Sequence, residues 1–113
     1  MPAYSVIVPV YNRPGEVSDL LESLSKQTYS EFEVLIIDDG SELPCRAVAE
    51  AFAEQLDVRY YYKDNTGPGD TRNYGLRKAR TDFLLIFDSD CILPPHYFKH
   101  LRQFSEHCDF DVF

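Results

Sequence analysis

Apolar positions along the chain fall into two alternating patterns. Predominantly apolar runs recur near residues 5–10, 32–37, 58–62 and 83–87, and between them apolar residues are spaced at helical intervals. The first pattern predicts buried strands and the second amphipathic helices. Ser5-Val6-Ile7-Val8-Pro9-Val10 reads as a first, β-branched strand. Pro9 has no N–H to give to a ladder, so pairing is expected to be interrupted there. Tyr11 to Gly15 reads as a turn into a helix whose apolar stripe is Val17, Leu20, Leu21 and Leu24, with Ser18, Asp19, Glu22 and Ser25 on the wet side. That helix is expected to end near residues 27–30. Phe32 to Ile37 predicts a second strand closing on Asp38-Asp39-Gly40-Ser41. A second helix is expected after Pro44, with Cys45, Val48, Ala49, Phe52 and Leu56 on one face. The aromatic run Val58 to Tyr62 predicts a third, less buried strand near a sheet edge.

Asp64 to Gly69 reads as a loop, followed by a helix carrying Arg72, Asn73, Leu76 and Ala79. The run Phe83-Leu84-Leu85-Ile86-Phe87 predicts a strand buried on both faces. After Pro94-Pro95 a last helix shows Tyr97, Leu101, Phe104 and Cys108 on one side, and residues 109–113 begin to resemble another strand. The order βαβαβαβα predicts an α/β domain with a mostly parallel sheet and helices on both faces. A domain that stops at a partial strand reads as a piece, so residues 1–113 are expected to be truncated at the C-terminus.

Composition narrows the partners. The chain of 113 residues carries a formal net charge of −8, which argues against a nucleic-acid or anionic-membrane surface. It has no apolar stretch of about 18 residues, so no transmembrane segment is expected. Cys45, Cys91 and Cys108 form no C-x-x-C pair and read as idle thiols in a reducing compartment. His96 and His100 share an i, i+4 spacing that suits a metal, but a solvated helix face explains them as well.

The chemistry gathers where strands end. Tyr11-Asn12 follows the first strand, Asp38-Asp39 the second and Asp88-Ser89-Asp90 the fourth. In a parallel sheet these ends share one rim, where open α/β sheets place ligands. Asp88 and Asp90, at i and i+2, project to the same side of an extended chain. Paired carboxylates repel unless a cation lies between them, and a hard divalent ion, Mn²⁺ or Mg²⁺, suits oxygen ligands. A nucleoside diphosphate fits the layout. A carboxylate accepts a base N–H, a ring stacks on the base, an acid takes the ribose hydroxyls, and Arg72 offers a phosphate contact. A dinucleotide fold fits poorly, because Asn12-Arg13-Pro14-Gly15 replaces the G-x-G-x-x-G turn after the first strand. No ATPase-type phosphate loop is present.

Pro9-Val10-Tyr11-Asn12, Asp38-Asp39-Gly40-Ser41, Asn65-Thr66-Gly67 with Arg72-Asn73-Tyr74-Gly75, and Asp88-Ser89-Asp90 occur in an order that resembles family 2 glycosyltransferases. The resemblance covers nearly the whole chain and implies the N-terminal, nucleotide-sugar-binding part of a GT-A, Rossmann-like fold. It implies metal-dependent, inverting transfer from a nucleotide-diphosphate donor, usually UDP-linked, to a hydroxyl acceptor on a sugar or lipid-linked glycan. By the same resemblance Pro9 and Tyr11 line the base pocket and Asp39 contacts the base. Arg72 lies near the diphosphate, Asp88 and Ser89 near the nucleotide, and Asp90, with Asp88, on the metal. Asp38 is assigned to structure, bonding turn amides. Many members carry a further Asp where this chain has Cys91, a softer ligand than magnesium prefers. The family's general base comes from a later segment, so no catalytic residue is expected before Phe113. The alternative is a module that binds a sugar nucleotide without turning it over. A cytoplasmic site, at the inner face of a membrane or free of it, polysaccharide synthesis and room for a homodimer are family-level expectations.

Overall fold

A computed structural model describes residues 4–28, 31–81 and 83–87. In chain order these form β1 (Tyr4–Val10), α1 (Pro14–Ser25), β2 (Phe32–Asp39), α2 (Arg46–Ala51), β3 (Asp57–Lys63), α3 (Pro68–Lys78) and β4 (Phe83–Ile86). The four strands make one sheet in the order β3-β2-β1-β4, with every neighbouring pair parallel.

Side-chain alternation sorts the core into two layers. Val6, Val8 and Val10 of β1 and Val34 and Ile36 of β2 face α1, whose Val17, Leu20, Leu21 and Leu24 are all buried against them. Ile7, Leu35 and Ile37 face the other way, toward Tyr74 and Leu76 of α3. That second layer is thin and close. A β-carbon added at Gly75 would sit 2.6 Å from Ile7 Cγ2, so the absence of a side chain there lets α3 lie down on β1.

The connections explain the layers. The chain steps outward from β1 to β2 to β3, then crosses back over the sheet through α3 to β4 on the far side of β1. Right-handed crossovers in opposite directions must use opposite faces. The strand order therefore reverses between β1 and β4, which creates a crevice at the carboxyl ends of the strands.

Two expectations need correction. Pro9 does not interrupt β1, which pairs with β2 from Tyr4 through Val10. The Phe87 amide donates to the Ile7 carbonyl, so odd positions of β1 face β4. The missing Pro9 N–H falls on that side, beyond the Ile7–Ile86 end of the β1–β4 register, and costs the β2 ladder nothing. The strand buried on both faces is β2, not β4. Every β2 residue is buried, whereas Phe83 is 40% exposed and Leu85 alone of β4 is buried. β3 lies at a sheet edge as its aromatic run predicted. The stripe after Pro44 also packs as predicted, but regular helix covers only Arg46–Ala51 of it. The predicted helix after Pro95 and the strand at 109–113 lie outside the described residues.

At the amino ends of the strands sits a buried charge that the apolar patterns do not announce. Glu33 is fully buried. One oxygen accepts from Arg59 Nη2 at 2.7 Å and Arg80 Nε at 2.9 Å, the other from Ser5 Oγ at 2.6 Å and the Arg80 amide at 2.7 Å. Burial alone raises its pKa, and these hydrogen bonds outweigh that, holding the carboxyl below its ordinary 4.5. The cluster ties β1, β2, β3 and the segment after α3 together at the pole opposite the crevice.

Candidate functional site

Asp38 and Asp39 are consecutive at the end of β2, so they point to opposite faces and do different work. On the α1 side, Asp38 accepts from the Ser41 amide at 3.1 Å, the Cys45 amide at 3.3 Å and the Tyr60 hydroxyl at 2.6 Å. It shapes the turn after β2, as its structural assignment expects. Burial and the Asp38 carboxylate push the Cys45 thiol up to about 12. Burial, with the hydrogen bond to Asp38, raises the Tyr60 hydroxyl as well.

Asn12 holds the same turn from the other side. It adopts a left-handed backbone, φ 54, which Asn tolerates better than most residues. Its side-chain oxygen accepts from the Glu42 amide at 2.8 Å and the Leu43 amide at 3.1 Å. Its own amide donates to Ser41 Oγ at 2.8 Å. Asn12 therefore joins the end of β1 to the end of β2 and does not line the cleft.

Asp39 points to the α3 side. Oδ1 accepts from Lys63 Nζ at 2.7 Å and the Thr66 amide at 2.9 Å, and Oδ2 from the Gly67 amide at 3.1 Å. Burial raises its pKa, and hydrogen bonding, led by Lys63 and joined by the Thr66 and Gly67 amides, outweighs it, so the carboxyl is held below its ordinary 3.8. Gly67 aims its amide from φ 101, a conformation that favours glycine. Gly40, at φ 73, gives the turn room against this loop, since a β-carbon there would lie 2.8 Å from the Asn65 amide nitrogen.

These pieces frame a cleft of about 300 Å³ at the carboxyl ends of the strands. Pro9, Val10 and Tyr11 form the β1 wall, Asp39 the floor at β2, and Asn65 and Gly67 the loop wall. Pro68, Thr71 and Arg72 of α3 complete it. Tyr11 presents its ring at 48% exposure. Arg72 is exposed at the cleft and makes no ion pair among the described residues. The N-terminus of α3 opens on the same space, and backbone N–H groups there favour anions.

Four of the residues selected from sequence thus line one cleft: Pro9, Tyr11, Asp39 and Arg72. Asp88, Ser89 and Asp90 lie outside the described residues, as do Cys91, His96, His100 and Cys108. Among the described residues no group of three or more His, Cys, Asp or Glu could hold a metal ion. Asp39, already paired with Lys63, is a poor cation ligand. Val10 and Asn65 stood in the recognised motifs without a role of their own, and Thr71 and Lys63 were passed over. For Lys63 the signal was its position, since the last residue of β3 sits opposite Asp39 in the parallel register.

A profile described as glycosyl transferase family 2 matches residues 5–113. An uncharacterized glycosyltransferase of Haemophilus influenzae is 41% identical over 103 residues, covering 90% of this chain and 34% of its own length. The Staphylococcus aureus poly(ribitol-phosphate) beta-N-acetylglucosaminyltransferase TarS is 34% identical over 116 residues, covering 99% of this chain and 20% of its own. The crystal structure of TarS residues 1–349 in complex with UDP-GlcNAc superposes with a TM-score of 0.88 at 34% identity, over 93% of this chain and 31% of that one. The mannosyltransferase PcManGT of Pyrobaculum calidifontis, in complex with GDP-Man and Mn²⁺, matches with a TM-score of 0.75 at 26% identity, over 82% of this chain and 29% of that one. The chain spans between 15% and 34% of the length of the curated relatives it matches. No described helix is long and apolar enough to cross a membrane.

Proposed function

The chain belongs to glycosyl transferase family 2, and we propose that it forms the donor-binding part of an enzyme that transfers a sugar from a nucleoside diphosphate to a hydroxyl acceptor. The observation that carries this reading is the cleft at the carboxyl ends of β1 and β2, where an exposed aromatic ring, an ionised acid and an arginine with no ion pair among the described residues converge. Each suits one part of a nucleotide. Tyr11 stacks on the base, with Pro9 beside it. Asp39 accepts a base N–H. Arg72 and the N-terminus of α3 receive the diphosphate. UDP is the expected nucleotide, supported by the likeness to a protein crystallised with UDP-GlcNAc.

The acids that follow β4 in sequence, Asp88 and Asp90, together with Ser89, are assigned to the ribose and to a divalent cation, Mn²⁺ or Mg²⁺. When bound, such an ion supplies positive charge to the departing diphosphate. Inversion at the sugar carbon requires a general base at the acceptor hydroxyl. No residue of this chain is given that role, and the base is assigned to a segment beyond Phe113.

Calorimetry with UDP, with and without Mn²⁺, tests the assignment. Asp90→Ala is expected to abolish the metal-dependent part of binding and leave the fold intact. Asp39→Asn replaces an acceptor by a group that also donates, and is expected to weaken binding by roughly 1.5–3 kcal/mol. Unchanged Mn²⁺-dependent affinity in Asp90→Ala removes the metal assignment. An Asp39→Asn affinity within about twofold of wild type reduces Asp39 to a turn residue.

A further inference from the structure

Lys63 is a nearly buried ammonium behind the cleft, bonded to Asp39 and Thr71, which line it. Its side chain is 10% exposed, a rare state for lysine unless it is paired. Nζ lies 2.7 Å from Asp39 Oδ1, 2.8 Å from the Asp64 carbonyl and 3.3 Å from Thr71 Oγ1, and it also donates to Thr66 Oγ1. Asp70 Oδ2 lies 4.0 Å away and accepts from Thr66 Oγ1 at 2.6 Å. Thr71 Oγ1 in turn donates to the Gly67 carbonyl at 2.7 Å. One cation thus holds together β2, the loop after β3 and the first turn of α3, and each of these contributes a wall of the cleft.

We propose that Lys63 is a positioning residue for donor recognition, which holds the Asp39 carboxylate with one acceptor position turned to the cleft for a nucleobase ring N–H. This role presupposes the nucleotide reading of the cleft. An ionised carboxylate has about four acceptor positions. Lys63 and the Thr66 amide occupy both on Oδ1, and the Gly67 amide occupies one on Oδ2. The remaining position is an acceptor and nothing else. It takes the ring N–H of uracil and rejects cytosine, whose corresponding ring nitrogen is itself an acceptor.

Lys63 also keeps that position an acceptor. Among the described residues the charged groups around Asp39 are Lys63 on β3, Asp70 on α3 and Arg72 at the cleft, while Asp38 faces the other side of the sheet. Without the ammonium, burial and Asp70 both favour protonation of Asp39. A protonated carboxyl donates, and the base code is lost.

The experiment is calorimetry on the full-length protein with UDP and CDP as probes. Wild type is expected to prefer UDP. Lys63→Met is expected to cost UDP about tenfold or more while CDP changes by less than about twofold, so the preference collapses. Lys63→Arg, which keeps the charge, restores most of it. In an Asp39→Asn background Lys63→Met has no further effect on the UDP-to-CDP ratio. UDP binding by Lys63→Met is also expected to fade as pH is lowered toward 3.8, the ordinary carboxyl value, while wild type retains it. An undiminished UDP preference in Lys63→Met overturns the proposal and leaves the nucleotide reading standing. Equal losses for both nucleotides, with a lowered melting temperature, overturn it in favour of a purely structural lysine. A wild type that binds neither nucleotide overturns both readings. If Lys63→Met does not fold, Lys63→Gln is measured against the same ratio.

Discussion

Replacing Glu33 by Gln tests whether the buried charge at the amino pole holds the sheet together. The change preserves shape and removes charge. Both carboxylate oxygens are occupied by donors, Arg59 and Arg80 Nε on one, Ser5 and the Arg80 amide on the other. An amide must set its own N–H₂ against one of those pairs. With the nitrogen toward Ser5, the hydroxyl can turn and accept, but the Arg80 amide cannot. Leaving that amide unpaired and weakening the charge-assisted bonds costs about 3 kcal/mol, the figure being held down because the Arg59 and Arg80 side chains keep contact with water. For a domain of this size that is a drop in Tm of roughly 10 °C or more. The pH dependence separates charge from shape. The folded pKa of Glu33 lies below 4.5, so its contribution is complete above that value and is lost as pH falls through the folded pKa. Thermal melts followed by circular dichroism should therefore show the widest gap between wild type and Glu33→Gln near neutral pH, closing under acid conditions as Glu33 itself is protonated. A gap that stays constant on acidification would refute the electrostatic account and leave only altered packing.

Two further outcomes follow from local geometry. Gly40→Ala forces φ 73 on a residue with a β-carbon and drives that carbon to 2.8 Å from the Asn65 nitrogen; it should cost about 1–3 kcal/mol in denaturant titrations and weaken UDP binding, because Asn65 lines the cleft. Cys45, with its thiol pushed up to about 12, should resist alkylation in the native protein and react on unfolding, as read from the Cys45 peptide by mass spectrometry; rapid native labelling would contradict its burial.

Much of the fold is legible because period and length agree. The stripe Val17, Leu20, Leu21, Leu24 and the runs in β1 and β2 each have one interpretation, and all but Pro9 are buried. The misread elements have physical reasons. An apolar run states that a strand is hydrophobic without stating how many layers cover it, and β4 has partial cover among the described residues while β2, which carries Glu33 and two aspartates, is buried throughout. Proline was judged by its missing donor without knowledge of which neighbour that donor would face. Glu33 and Lys63 escaped because a charge in a strand ordinarily means an exposed face. Only the tertiary partners, Arg59 and Arg80 for one and Asp39 for the other, make their burial tolerable.

The site is legible to a different depth, and parity explains the limit. A residue pair such as Asp38-Asp39 at a strand end delivers one carboxylate to each face. Sequence order alone does not say which face the ligand uses. The α3 crossover decides which face carries the cleft: the return path that puts β4 beside β1 also lays the N-terminus of α3 over the face that Asp39 shares with Lys63. Asp38, on the α1 face, is bonded among the described residues to its own turn, Cys45 and Tyr60. Moving the proposed binding role from Asp39 to Asp38 would thus require rerouting a helix, while losing Asp38 would loosen the turn that Gly40 and Asn12 set against the cleft. The two aspartates are coupled through that turn, so damage at Asp38 should reach the cleft as a change in loop position and not as the loss of a contact to the nucleotide.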